Sequence, residues 1–99
     1  MLAICLSNTK PLFKLGQVVM THGAINALKE SGQSAAGFLD KHIRGDWGDL
    51  SPQDAKANED AITEGLRILS VYRTSKGIKI WIITEADRAS TCLLLPDEY

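Results

Sequence analysis

Acid–base chemistry near neutral pH needs an imidazole or a carboxylate whose proton can be exchanged within hydrogen-bond reach of a substrate. In this 99-residue chain the candidates are His42, Asp46, Glu85, Asp87 and Arg88. His42 is a potential general base or acid, Asp46 follows it by four residues, and Glu85 or Asp87 would face it. Arg88 is the potential clamp for an anion, since a guanidinium presents a fork of donors to a carboxylate or phosphate. Each also has a plain structural reading. A core histidine with a backbone partner, a link carrying aspartates and a charged turn with an internal Asp–Arg pair would use the same residues. Such a surface pair contributes only about 0–1 kcal/mol. Trp47, Asn58, Tyr72 and Trp81 are the binding candidates: Trp47 is either a lid on the core or an exposed anchor for a partner, and Asn58 is either a tether from helix to loop or a reactive amide.

Recognisable catalytic and cofactor motifs are absent. The chain has no phosphate-binding Gly-rich loop ending in Lys-Ser/Thr, no paired Cys/His zinc spacing, no His-Glu-x-x-His and no Gly-x-Ser-x-Gly. Two histidines cannot build a histidine-rich metal site. A mixed set of His42, Asp46 and Asp49 can be drawn from usable ligand types, but those aspartates sit in what reads as a turn, so neither metal nor cofactor is expected.

The elements that would position these residues follow from periodicity and punctuation. Residues 16–20 have β-branched character and end at a Thr-His-Gly turn, which predicts a short strand. Thr21 then caps a helix over residues 22–31, stopped by Gly32. Ser34 opens a second helix, residues 35–44, whose apolar positions Ala35, Phe38, Leu39 and Ile43 leave His42 on the same stripe. A buried unpaired imidazole would cost on the order of 1–3 kcal/mol, so a partner is expected for it. Asp40 and Arg44, four apart, make a weak helix pair. After a glycine-bounded link at residues 45–50, Ser51-Pro52 with Asp54 is a strong helix start, and the helix runs over residues 52–65 with Asn58 on its inner stripe.

The remaining third alternates as strands. Residues 67–74 set Leu69 and Val71 against Ile68, Ser70 and Tyr72, and a hairpin through Gly77 follows. Ile78, Ile80 and Ile82 share one face of the next strand, with Lys79, Trp81 and Ile83 on the other. Apolar residues on both faces predict a central strand covered on each side. Residues 91–95 return until Pro96. The fold expected is therefore α+β: an antiparallel sheet of three strands (the meander over residues 67–95), with residues 16–20 as a fourth, and three helices on one face. Residues 13–99 form the single domain. Residues 1–12 are a lead-in, in which residues 2–6 either pair as an edge strand or are loose.

Composition narrows the function classes. Hydrophobic residues make up 44% and charged residues 23%, with a formal net charge of −1, values ordinary for a globular chain and unlike a nucleic-acid coat protein. The charge is uneven: +3 over residues 1–45, −5 over 46–65 and +1 over 66–99. The acidic block reads as a solvated helix face or as a partner surface. Cys5 and Cys92 lack any scaffold spacing, so a reducing cytoplasm is expected, with Cys92 a small buried hydrophobe. No run approaches the ~18–20 apolar residues of a membrane span, and the short apolar start lacks the basic region of a signal peptide.

Several blocks look familiar together: Gly-Gln-Val-Val-Met-Thr-His-Gly-Ala from Gly16, His-Ile-Arg-Gly-Asp-Trp-Gly-Asp from His42, Asn58, Ile-Leu-Ser-Val-Tyr from Ile68, and Trp-Ile-Ile-Thr-Glu-Ala-Asp-Arg from Trp81 with Leu-Leu-Leu-Pro-Asp-Glu-Tyr at the end. Over roughly residues 13–99 the chain resembles a family of small uncharacterised bacterial proteins often carried on plasmids, prophages and other mobile elements. Members often have proline where this chain has His22. The resemblance implies a mobile-element accessory and carries no activity. The expectation is thus a cytoplasmic, non-catalytic protein-interaction module acting on a host or element-encoded protein. A small hydrolase or nuclease-like toxin built on His42, Asp46, Glu85, Asp87 and Arg88 is the alternative. Nucleic-acid binding is not expected, and unpaired sheet edges allow a homodimer.

Overall fold

The computed structural model describes residues 11–99; the possible strand at residues 2–6 and Cys5 lie outside the described residues. In chain order the elements are β1 (Gln17–Met20), α1 (His22–Ser31), α2 (Ala35–Ile43), α3 (Pro52–Glu64), β2 (Ile68–Arg73), β3 (Lys79–Thr84) and β4 (Ser90–Leu94), closed by a short 3₁₀ turn, Pro96–Glu98. The α+β reading is that of the structure, and the element spans agree to within one residue at each end. Local chemistry explains the boundaries. Thr21, Ser34 and Ser51 each accept a backbone N–H of the first turn of α1, α2 and α3, and Gly32 and Gly65 end α1 and α3 in the left-handed conformation.

The sheet departs from expectation in one respect. Its order is β1-β4-β3-β2, and while β2–β3 and β3–β4 are antiparallel, β1 runs parallel to β4. The sheet is mixed rather than antiparallel. All three helices intervene between β1 and β2, and a connection of that length frees β1 to join the far side of the meander, where direction is not dictated by a hairpin.

Ile68, Ser70 and Tyr72 of β2, Ile80, Ile82 and Thr84 of β3, and Thr91 and Leu93 of β4 share one face by register. The apolar members of this face meet the helices. Ala24, Ala27 and Leu28 of α1 and Phe38 of α2 pack with Tyr72, Ile80, Ile82 and Leu93, while Ala61 of α3 packs with Ile68 and Trp47. Ile68, Ile80, Ile82 and Leu93 are fully buried, each such side chain contributing about 1.5–3 kcal/mol relative to exposure. On the opposite face Val71, Ile83 and Leu94 are also buried, and the C-terminal Tyr99 ring meets Trp81 edge-on at 5.7 Å. The central strand is therefore covered on both sides, as its double apolar pattern requires. Cys92, expected to be buried, is only half-buried. The tie to the body starts inside the expected lead-in, where the Leu12 N–H donates to the Ile43 carbonyl at 2.8 Å.

Candidate functional site

His42 projects from the last turn of α2 into the sheet face and is completely buried. The hydroxyl chain that holds it draws on three strands. Nδ1 lies 2.5 Å from Ser70 Oγ and Nε2 lies 2.9 Å from Thr84 Oγ1; Thr84 Oγ1 is 2.7 Å from Thr91 Oγ1, whose hydroxyl donates to the Leu15 carbonyl at 2.7 Å. That final carbonyl can only accept, which sets the protons from Thr91 back to Nε2. Thr91 donates to Leu15, so Thr84 must donate to Thr91 and His42 Nε2–H to Thr84. In the neutral ring that burial favours, Nδ1 is then the acceptor of the Ser70 hydroxyl. The imidazole is neutral with both nitrogens occupied, and burial lowers its pKa to about 4. The rings of Phe13 and Trp47 close over it edge-on, with centroids at 5.1 and 6.1 Å.

The other acid–base candidates are not gathered around this imidazole. Asp46 accepts the Gly48 N–H through its carboxylate at 3.3 Å, and its carbonyl accepts the Tyr72 hydroxyl at 2.5 Å. Glu85 forms an exposed ion pair with Arg67 at 3.3 Å. Asp87 folds back on the Ala89 N–H at 2.9 Å. None of the three makes a hydrogen bond to His42. Asp49, the third member of the drawable metal set, pairs with Arg73 at 2.9 Å, and no cluster of three metal-ligating side chains exists among the described residues.

Arg88 departs furthest from its plain reading, because its guanidinium is turned to the backbone and makes no pair with Asp87. Its guanidinium donates to four backbone carbonyls: Leu66 at 2.7 Å, Ala61 at 2.9 Å, Glu85 at 3.1 Å and Ala86 at 3.2 Å. Ala61 lies in the last turn of α3 and Leu66 just beyond it, where the helix dipole favours a cation. The same group lies 5.7 Å from the Phe13 ring centre. Phe13 thus touches both His42 and Arg88.

The binding candidates serve the edge and the faces of the sheet. Asn58 offers its amide to the outer side of β2: Nδ2 donates to the Leu69 carbonyl at 2.6 Å and Oδ1 accepts the Leu69 N–H at 3.1 Å. One side chain replaces one residue of a neighbouring strand. Two residues along, the 47–49 link continues the replacement, with Val71 N–H donating to the Trp47 carbonyl at 3.0 Å and Asp49 N–H to the Val71 carbonyl at 2.7 Å. Gly48 permits this approach. Its φ is +77°, and a Cβ there would run into the Val71 carbonyl and the Tyr72 ring. Trp47 is buried, stacked at 6.3 Å on Phe13, and its indole N–H has no acceptor among the described residues. Tyr72 is buried, which pushes its hydroxyl pKa up to about 12. Trp81 is half-buried beneath Tyr99.

Two shallow grooves flank Lys41, one of about 240 Å³ lined by Gln33, Ser34, Gly37 and Phe38, the other of about 210 Å³ lined by Asp49, Tyr72 and Arg73 among others. Neither is lined by His42, Asp46 or any residue of the 85–88 turn. The partners of His42 that sequence reasoning missed are Ser70, Thr84, Thr91 and Phe13. The alternation of residues 67–74 had put Ser70 on the Ile68–Tyr72 face, so a polar residue on an apolar stripe was the available signal. Comparison with protein-family models, curated proteins and solved structures finds no match to this chain.

Proposed function

We propose that the chain is a non-catalytic protein-interaction module of the bacterial cytoplasm, an accessory of a mobile genetic element, and that it binds by accepting an extended segment along the free edge of β1. The genomic setting rests on the family resemblance. The mode of binding rests on one observation: β1 is an edge strand with nothing paired on its outer side among the described residues, and Val18, Val19 and Met20 are each about two-fifths exposed. Strand addition uses such an edge, with main-chain hydrogen bonds supplying affinity and side chains supplying selectivity. No described helix is long and apolar enough to cross a membrane. Against the hydrolytic alternative stands the state of His42, neutral, enclosed and bonded at both nitrogens, with no carboxylate in contact to draw its proton.

Affinity capture tests the reading. Tagged wild-type chain, produced beside an untagged copy in a bacterial host, should retain a stoichiometric protein partner that the Val19→Lys variant does not retain. A wild-type chain that retains nothing across several growth conditions overturns it.

A further inference from the structure

The two sides of β1 are distinguishable by their hydrogen bonds. Gln17 N–H donates to the Ala89 carbonyl at 2.9 Å and Thr21 N–H to the Leu93 carbonyl at 3.0 Å, in a parallel register that pairs Val19 with Cys92. In a parallel ladder a residue turns both its N–H and its C=O to the same neighbour and the next residue turns both away. Gln17, Val19 and Thr21 therefore face β4, while Val18 and Met20 point two donors and two acceptors outward. Sheet edges of this kind are ordinarily blunted with a lysine, a proline, a bulge or a covering side chain. Among the described residues β1 has none of these: Gln17, Val18, Val19 and Met20 are uncharged and regular. The opposite edge of the same sheet is covered by Asn58 and the 47–49 link.

Resting on the interaction-module reading, we infer that the occupant of this edge is a second copy of the chain, with β1 pairing antiparallel to its own symmetry mate about a two-fold axis through Val19. The register follows from two constraints. A two-fold axis perpendicular to the sheet keeps each helix-covered face on the same side, so paired residues must have the same parity. The outward-pointing residues must also form the hydrogen-bonded pairs. Val18 opposite Met20 of the second copy, and the reverse, satisfies both and closes four inter-chain N–H···O bonds, whereas an axis through Val18 or Met20 closes two and sets the other outward residue against Gly16, at φ +66°, or His22 of α1. Val19 then meets its own counterpart in a non-hydrogen-bonded pair, and Gln17 lies opposite Thr21. No charged side chain occurs between Gln17 and Thr21 and each copy carries a net charge of only −1, so like charges are not set against one another. The product is a continuous eight-stranded sheet, β2-β3-β4-β1 followed by the same order reversed. Three half-exposed apolar side chains per copy make a small interface, in the class below about 1,200 Å² where association is weak, so the dimer is concentration-dependent.

Disulfide trapping reads the register directly. Residues of a non-hydrogen-bonded antiparallel pair have Cα atoms about 4.5 Å apart, inside the 4.4–6.8 Å window for a disulfide. In a Cys5→Ser, Cys92→Ser background, which removes the neighbouring thiol on β4, Val19→Cys should give a cross-linked dimer on mild oxidation and Gln17→Cys should not. In sedimentation the otherwise unsubstituted chain should rise with concentration from 10.8 kDa towards twice that mass, and Val19→Lys should hold it at the monomer value. Exchange of the Val18 and Met20 amides should slow at least tenfold over the same concentration range. A chain that is monomeric throughout overturns the inference, as does a dimer indifferent to Val19→Lys, or Val18 and Met20 amides already protected in the monomer, which would mean that residues of the same chain cover the edge. A tagged chain that captures a host protein but not its untagged copy removes the self-pairing and leaves the module reading intact; one that captures neither removes both.

Discussion

The two edges of this sheet are treated oppositely by the same chain. Along β2 every outward backbone group from Leu69 to Val71 has a partner, supplied by the Asn58 amide and by the backbone of residues 47 and 49. Along β1 the outward groups of Val18 and Met20 meet nothing among the described residues, and the side chains beside them are apolar. The difference teaches where association is permitted. An edge closed by the fold's own groups contributes to stability and cannot add a strand; an edge left regular and uncharged adds little to stability and remains competent to pair.

Substitutions can break that contrast. The largest effect is expected at Asn58. Asn58→Leu keeps the volume but strands both the N–H and the C=O of Leu69 at a partly buried edge, and an orphaned buried group costs about 1–3 kcal/mol, so urea denaturation should show a loss of about 3 kcal/mol and amide exchange at Leu69 should accelerate. An unchanged midpoint would mean that the β2 edge is not held by this side chain.

Acidification probes the layer between the edges. The pKa of His42 is near 4 in the folded chain against an ordinary 6.5, so the unfolded chain takes up a proton first as pH falls. The stability tied to the neutral imidazole is fully present above about pH 6.5 and is lost progressively down to about pH 4, a total of about 3 kcal/mol. Denaturation midpoints measured across that window should fall accordingly, and His42→Gln should remove this slope while lowering stability at pH 7. A flat profile in the unsubstituted chain would place His42 in contact with solvent.

Gly48→Ala comes next. The positive φ costs roughly 1–2 kcal/mol for a residue with a Cβ, and the clash with the Val71 carbonyl adds to it, so a loss of about 2 kcal/mol and a weakened link on the β2 edge are expected by thermal denaturation. Arg88→Ala should cost about 1 kcal/mol, since its donors serve partly exposed carbonyls that water can replace. Retained stability there would show that the end of α3 does not need the cation. The smallest effect belongs to β1. Val19→Lys should change monomer stability by no more than about 0.5 kcal/mol, as expected for an exposed position. A large destabilisation would erase the distinction between the two edges.

Some of this contrast was legible in the residues. Ser51-Pro52 with Asp54 announced the start of α3, and Thr21 with Gly32 bracketed α1, because caps and stops act within one turn of their own helix. His42 on the apolar stripe of α2 announced a buried imidazole in need of a partner. The identity of the partners was not legible. Ser70, Thr84 and Thr91 are 28, 42 and 49 residues away, and only the lateral order of three strands brings their hydroxyls into line. Asn58 read as a polar residue on an inner face, with nothing in the sequence to say that it would stand in for a strand. Arg88 read either as half of a surface pair with Asp87 or as an anion clamp, yet the nearest acceptors supplied by the fold are the carbonyls of Leu66 and Ala61 at the end of α3.

By itself the sequence determined the elements, their ends and the faces they turn inward, since propensity, capping and alternation depend on neighbours a few residues apart. Tertiary packing alone sets β1 parallel to β4, turns the charged segment after β3 onto the end of a helix, and seals one edge while the other meets no described residue. Those outcomes depend on which distant segments share a border, and the polar groups on each border are satisfied or left free only once the strands have been ordered side by side.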